Sequence, residues 1–346
     1  MSNIVEIDPN FKVETQIDKP DLRFYNAQEE PFRIYGVFYQ DGKFRRLPES
    51  VAQTVSPSVL RLHSHTAGGR IRFRTNSTYI AIQAKMPVIG KMGHFALTGS
   101  AGFDVYNGTR HVKCLPPPFA IQDGYEGVVE LGNAEMRDIT IYMPLYSEVS
   151  QLHIGLSDQA IVEPPKPYTH ETPIVYYGSS ITQGGCTSRP GMGYESIVSR
   201  RLDTDYINLG FSGSAKAESE IAEYIKGLKM SVFVYDYDHN APTMEHYEKT
   251  HEAMFRTIRD ANPDLPIVCM SRPQYYVTPT VQQRMDIMRT TVENSRARGD
   301  NKVWMLTGPE LMALTEGEGH VDGCHPTDLG FFSMAKAVGD LLAKIL

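Results

Sequence analysis

Residues 161–173 read Ile-Val-Glu-Pro-Pro-Lys-Pro-Tyr-Thr-His-Glu-Thr-Pro, with four prolines and almost no apolar periodicity. Proline fixes φ at about −65° and removes a backbone donor, so this stretch suits neither a helix nor a central strand. An extended linker fits it. The linker divides the chain into residues 1–160 and 174–346, two parts of different texture. At 346 residues the chain is also longer than one hydrophobic core usually serves.

The first part has the period of strands. Arg70-Ile-Arg-Phe-Arg-Thr75 alternates polar and apolar residues, as does Thr78-Tyr-Ile-Ala-Ile-Gln83, with Asn76-Ser77 read as the turn between them. Gly102-Phe-Asp-Val-Tyr106 followed by Asn107-Gly108 has the form of a strand entering a hairpin turn. Arg137–Met143 continues the pattern, and no long helical period interrupts it. An antiparallel β-sandwich, jelly-roll-like, is expected.

The second part alternates. Strands are expected at 174–177, 205–209, 231–235, 266–270 and 302–306. Helices are expected near 194–202, 217–227, 244–261 and 281–297. In a final helix Met334, Val338, Leu341, Leu342 and Ile345 form one apolar face. Short apolar strands separated by helices imply a parallel sheet covered on both faces, an α/β class fold.

Composition removes several functions. A net charge of −7, with Lys43, Arg45 and Arg46 as the densest basic group, argues against nucleic acid as a partner. The segment Met1–Pro9 has neither the basic nor the apolar region of a signal peptide, and no apolar run reaches the roughly 20 residues of a membrane helix. A cytoplasmic chain with no membrane partner is expected. The cysteines Cys114, Cys186, Cys269 and Cys324 form no CxxC pair, so free thiols are expected and a structural zinc site is not. Cys186 and Cys324 flank the motifs below and are candidates to approach each other.

In a parallel α/β sheet, ligands bind beyond the carboxyl ends of the strands. Those ends carry Gly178-Ser179-Ser180-Ile181-Thr182, then Gly210-Phe211-Ser212-Gly213, then Asp236-Tyr237-Asp238-His239-Asn240. Asp322-Gly-Cys-His325 precedes the last helix. A nucleophilic serine needs a base within hydrogen-bond reach, and the base needs an acid to orient it. Ser180, His325 and Asp322 can supply the three. The Ser180 and Gly213 N–H groups and the Asn240 amide can supply the donors of an oxyanion hole.

The order of these blocks resembles the SGNH hydrolases, also called the GDSL esterase family. The resemblance covers residues 174–346 and implies a flavodoxin-like three-layer fold. It also implies esterase, lipase or carbohydrate deacetylase activity. In the family's pattern Ser180 falls in the first block, Gly213 in the second, Asn240 in the third, and Asp322 with His325 in the last. Two departures stand out: Ser179 occupies the usual Asp position, and Asn240 follows Asp238-His239 where Gly-x-Asn-Asp is usual. Gly102-Phe-Asp-Val-Tyr106 resembles the Gly-x-Asp-Leu-Tyr segment of a domain found ahead of some SGNH esterases, with Val105 in place of Leu. That pairing implies carbohydrate acetyl esters as substrates, with no metal and no organic cofactor.

Bland readings accompany the sharp ones. Ser180 and Asn240 could cap helices, and Gly213 could serve only a tight turn. His239 reads as a surface or packing residue. His63 and His65 share a strand face, yet read as structural. Tyr275, Tyr276, Arg189, Met192 and Tyr194 are candidates for the pocket wall by position alone. The expected partner is a small-molecule or saccharide ester, with a homo-oligomer left open. The rivals are an acyltransferase using the same triad and a carbohydrate-binding protein with an inert hydrolase-like domain.

Overall fold

The structure is a computed structural model that describes residues 15–346; the Met1–Pro9 segment lies outside the described residues. In chain order the first part comprises Leu22–Asn26 (β1), Arg33–Tyr35 (β2), Phe38–Gln40 (β3), Lys43–Arg45 (β4), Glu49–Val55 (α1) and Pro57–Leu62 (α2). Then follow Arg70–Thr75 (β5), Tyr79–Lys85 (β6), Leu97–Ser100 (α3), Phe103–Asn107 (β7), Arg110–Leu115 (β8) and Gly124–Glu130 (β9). Arg137–Tyr142 (β10), Gln151–Ser157 (β11) and Val162–Glu163 (β12) complete it. One sheet runs β1-β11-β6-β9 and the other β12-β5-β10-β7-β8, with β2 paired to β5. Their inner faces bury Ile71, Phe73, Ile80, Ile82, Ile139, Ile141 and Ile154 in a common core, as the two-residue alternation predicts.

Two details differ from the expectation. β5 and β6 are not a hairpin: they lie in opposite sheets, so Asn76-Ser77 carries the chain across the sandwich. The short helices α1 and α2 have too few turns to leave a helical period in the sequence. They bury Ala52, Val59 and Leu62 in the core of the second part.

That second part comprises His170–Gly178 (β13), Tyr194–Leu202 (α4), Thr204–Gly210 (β14), Ser219–Lys226 (α5), Val232–Asp236 (β15) and Met244–Ala261 (α6). Ile267–Met270 (β16), Pro279–Ala297 (α7), Val303–Leu306 (β17), Gly308–Leu311 (α8) and Asp328–Leu342 (α9) follow. Its parallel strands are ordered β14-β13-β15-β16-β17, the flavodoxin-like arrangement. Alternate residues of β13 face opposite layers. Val175 and Tyr177 join α5, α6 and α7 on one side, and Ile174 and Tyr176 join α4 and α9 on the other. Thr243 and Thr278 cap α6 and α7, their hydroxyls accepting from the His246 and Val281 N–H groups.

The proline-rich segment is partly regular. Val162–Glu163 pairs with β5 at the edge of the second of the two sheets, and β13 begins at His170, ahead of the expected Ile174. The β13–β14 ladder shifts register between His170 and Ile174, where Pro173 has no N–H to donate. Tyr168 is buried, with the Arg72 guanidinium 3.8 Å from its ring centroid.

Candidate active site

Strand pairing aligns Gly178 with Gly210 on one side and with Asp236 on the other, so three of the sequence blocks leave one sheet edge side by side. The order reverses at β13, which makes this edge the expected ligand crevice. Gly178 is required there. A Cβ would lie 2.1 Å from both the Asp236 carbonyl oxygen and Thr182 Oγ1.

Ser180 follows on the turn after β13. Its Oγ lies 2.9 Å from His325 Nε2, and His325 Nδ1 lies 2.8 Å from Asp322 Oδ2. The other Asp322 oxygen accepts the His325 and Cys324 N–H groups at 2.7 and 2.9 Å. Burial alone would raise the Asp322 carboxyl. The hydrogen bonds from the His325 N–H and ring and from the Cys324 N–H outweigh it and hold the group well below the usual carboxylate range. Asp322 therefore stays ionised beside His325 at neutral pH.

Gly213 adopts φ +65°, and a Cβ there would meet nothing within 4 Å. The left-handed turn favours glycine, and no side chain crowds the space where its Cβ would stand. Asn240 Nδ2 donates to the Phe211 carbonyl at 2.9 Å, which ties the third block to the second and leaves one amide hydrogen unused. The Ser180 and Gly213 N–H groups find no acceptor in the protein among the described residues.

The departures from the family pattern have local explanations. Ser179 Oγ accepts the Ile181 N–H at 3.1 Å, so serine still braces the turn where Asp is usual. Asp238 is buried and paired with Arg272 and Arg284, and this anchors the Asp238–Asn240 turn that carries the amide. His239 is a packing residue, partly exposed. Burial drives its imidazole down to about 3, its Nε2 has no partner, and its Nδ1 lies 3.8 Å from Cys324 Sγ.

Several position-based candidates turn out to do other work. Arg189 donates to Asp104 Oδ2 at 2.7 Å and to the Tyr106 hydroxyl, and Met192 Sδ accepts from Arg189. The Gly191 N–H adds 3.0 Å to Asp104 Oδ2, and His111 lies 2.9 Å from Oδ1. The Asp of the Gly102–Tyr106 motif thus clamps the loop after Ser180. Tyr194 is fully buried and stacks on Phe331. Tyr276 is exposed and lies against Gly317, with the Tyr275 ring edge-on to it. His63 bonds Arg45 and the Leu60 carbonyl, and His65 accepts from Gln183, both structural arrangements.

Sequence reasoning missed Gln183 and Tyr146. Buried Gln183 accepts the Ser212 N–H at 3.0 Å and donates to the Leu145 carbonyl at 3.1 Å, which fixes the Gly213 loop to the first part. The Tyr146 hydroxyl donates to the Ser180 carbonyl at 3.1 Å. A fully buried polar side chain leaves no signal in a single sequence, whereas the short α8 did. Its capping box, Thr307 with Glu310, is a legible helix start.

All four cysteines are free. Burial, together with the charge of Asp322 and the nearby Cys324, pushes the Cys186 thiol up to about 12, and burial also raises Cys324. Neither has the depressed value of a nucleophilic thiol. Among the described residues no helix is long and apolar enough to cross a membrane.

Comparison with known proteins gives the family and the fold. The N-terminal domain of SGNH-hydrolase-type esterases, called GxDLY, matches residues 22–162. A GDSL-like lipase structure from Bacteroides ovatus is 28% identical, covering 94% of this chain and 98% of its own, with a TM-score of 0.83. The salicylyl-acyltransferase SsfX3 of a tetracycline biosynthetic pathway is 19% identical over 94% of this chain and 98% of its own, with a TM-score of 0.77. A family two carbohydrate esterase from Clostridium thermocellum, solved with cellohexaose, is 15% identical over 90% and 98%, with a TM-score of 0.64. No curated protein matches the chain in sequence. With the GDSL-like lipase/acylhydrolase family matched over residues 171–343, half of its length, the chain belongs to that family.

Proposed function

We propose that this protein is a serine esterase that cleaves a short acyl ester, an acetyl ester of a saccharide, through an acyl-enzyme. Ser180 Oγ attacks the ester carbonyl, and His325 Nε2 takes its proton. Asp322 fixes the His325 tautomer and stabilises the imidazolium. The carbonyl oxygen becomes an oxyanion held by the Ser180 and Gly213 N–H groups and the Asn240 amide. His325 returns the proton to the leaving alcohol. It then activates water, which attacks the acyl-enzyme and releases the carboxylic acid.

The observation that carries this reading is the unbroken chain from Ser180 Oγ to His325 to Asp322, at 2.9 and 2.8 Å. Support for a saccharide substrate comes from the first part, with its Gly102–Tyr106 motif, and from the fold shared with a carbohydrate esterase. The test is an ester panel, acetyl to octanoyl plus acetylated sugars, on wild type and Ser180→Ala. Hydrolysis strongest on acetyl esters and at least about 10³-fold weaker in the variant is expected. Failure to cleave any ester, or full activity in Ser180→Ala, would favour a carbohydrate-binding role.

The fold shared with an acyltransferase favours one second reading, in which an acceptor hydroxyl replaces water at the last step. Product analysis with added alcohols or sugars separates the two. Transfer outrunning hydrolysis would select the transferase.

A further inference from the structure

The loop between β6 and α3 carries His94 from the first part to the edge of the site. Its ring centroid lies 5.4 Å from that of His325, with the planes inclined by 47°. Cys186 reaches the same place from the turn after Ser180, in a left-handed conformation, φ +75°, that a non-glycine residue seldom adopts. One ligand atom from each of His94, Cys186 and His325 lies within 4.8 Å of the others, the only such group of His, Cys, Asp or Glu among the described residues. The three come from separate segments, so neither a local turn nor a charge run explains their meeting.

Two imidazoles and a thiol are the donor set of a borderline-soft divalent cation, and carboxylate-preferring calcium and magnesium are poorly served by it. Asp322 already holds His325 Nδ1 and supplies the carboxylate that orients a metal-bound histidine; the ligand atom is then Nε2, which a metal would take from its 2.9 Å contact with Ser180 Oγ. His94 is exposed and its ring has no hydrogen-bond partner, so it can turn inward. Tetrahedral bonds of about 2.0–2.3 Å place donors about 3.5 Å apart, so only a small rotation is needed.

We propose that His94, Cys186 and His325 form a Zn²⁺-class binding site that silences the enzyme by occupying the Nε2 that Ser180 needs. Binding forms two metal–nitrogen bonds and one metal–sulfur bond, and the thiol proton leaves to solvent. The fourth position stays open. The metal is an inhibitor here, and the ester chemistry runs without it. The inhibitory half of the proposal rests on the esterase reading above; the binding half does not.

The test uses the full chain in a non-thiol reductant, stripped with a chelator. Calorimetric titration with Zn²⁺ is expected to show one site per chain, weakened more than about tenfold in Cys186→Ser and in His94→Gln. Co²⁺ is expected to give a thiolate-to-metal charge-transfer band in the wild type that Cys186→Ser lacks. Zn²⁺ is expected to inhibit ester hydrolysis in the wild type, reversibly by chelator. Both variants should keep their metal-free activity and escape inhibition. Absence of binding, or binding unchanged in Cys186→Ser, overturns the site. Loss of activity on chelation overturns its inhibitory role. A metal-bound wild type with no esterase activity under any condition would leave the site standing and remove the esterase reading instead.

Discussion

At the scale of single residues, Asp322 and Gly213 are where the proposed catalytic roles can be told from structural ones. Asp322 accepts three hydrogen bonds and keeps its charge well below the usual carboxylate range. A depressed carboxyl contributes stability above its unfolded value, about 3.9, and loses it only as pH falls through the lower folded value. The acid limb of kcat/KM is therefore expected to titrate as one group, with no second limb near pH 4. A second ionisation there would contradict the assignment. Asp322→Asn keeps the shape and loses the charge, and kcat is expected to fall about 10³–10⁴-fold. Gly213→Ala meets no steric neighbour but strains a φ of +65°. Its melting transition should drop by only about 1 kcal/mol in stability, while kcat falls about 10²-fold. Equal loss of folding and activity would make Gly213 a turn residue alone.

At the scale of elements, the contact between the two parts is built by buried polar groups. Arg46 lies inside the interface and donates to the Gly210 carbonyl at 2.6 Å and the Leu62 carbonyl at 2.8 Å. Asp104 on β7 grips Arg189 and the Gly191 N–H in the loop that leads into α4. The Gly102–Tyr106 motif is legible in the sequence, but its task is not, because Arg189 lies 85 residues away. Asp104→Ala removes the carboxylate partner of the part-buried Arg189 guanidinium and leaves the Gly191 N–H without its acceptor, and is expected to cost about 2 kcal/mol by denaturant unfolding. The loop after Ser180 should loosen with it, read as a higher KM. A loss below about 1 kcal/mol would mean the clamp is not structural. The long helices α6 and α7 were readable to within two residues because an amphipathic period needs several turns to show. The one- and two-turn helices α1, α2 and α8 had no room to show one.

At the scale of the whole molecule, histidines packed away from water link stability to pH. Burial drives His65, His239 and His251 each down to about 3. The unfolded chain binds those protons near pH 6.5 and the folded chain does not, so stability falls as pH drops through the window from about 6.5 to 3. Each such histidine contributes a slope of about 1.4 kcal/mol per pH unit inside it. His251 is fully buried, bonded to Thr291 Oγ1 at 2.8 Å and stacked on Tyr235. Against wild type, His251→Asn is expected to flatten the slope by up to about 1.4 kcal/mol per pH unit, measured as unfolding free energy at pH 7, 5.5 and 4. An unchanged slope would show that His251 does not remain neutral in the fold.

What the amino-acid sequence determined by itself was whatever repeats or sits at a strand end. The two-residue alternation specified the sandwich, the strand–helix alternation specified the parallel sheet, and four ordered blocks specified Ser180, Gly213, Asn240, Asp322 and His325 as the candidates. Asp322 and His325 are three apart, so their pairing was a local matter. Only the tertiary structure could bring Ser180 to His325 across 145 residues, seat Gln183 beneath the Gly213 loop, clamp Arg189 with Asp104, and gather His94, Cys186 and His325 at one point. Each of these depends on which buried polar groups the packed core leaves facing one another. That choice is made by strand order and loop approach, which no periodicity along the chain records.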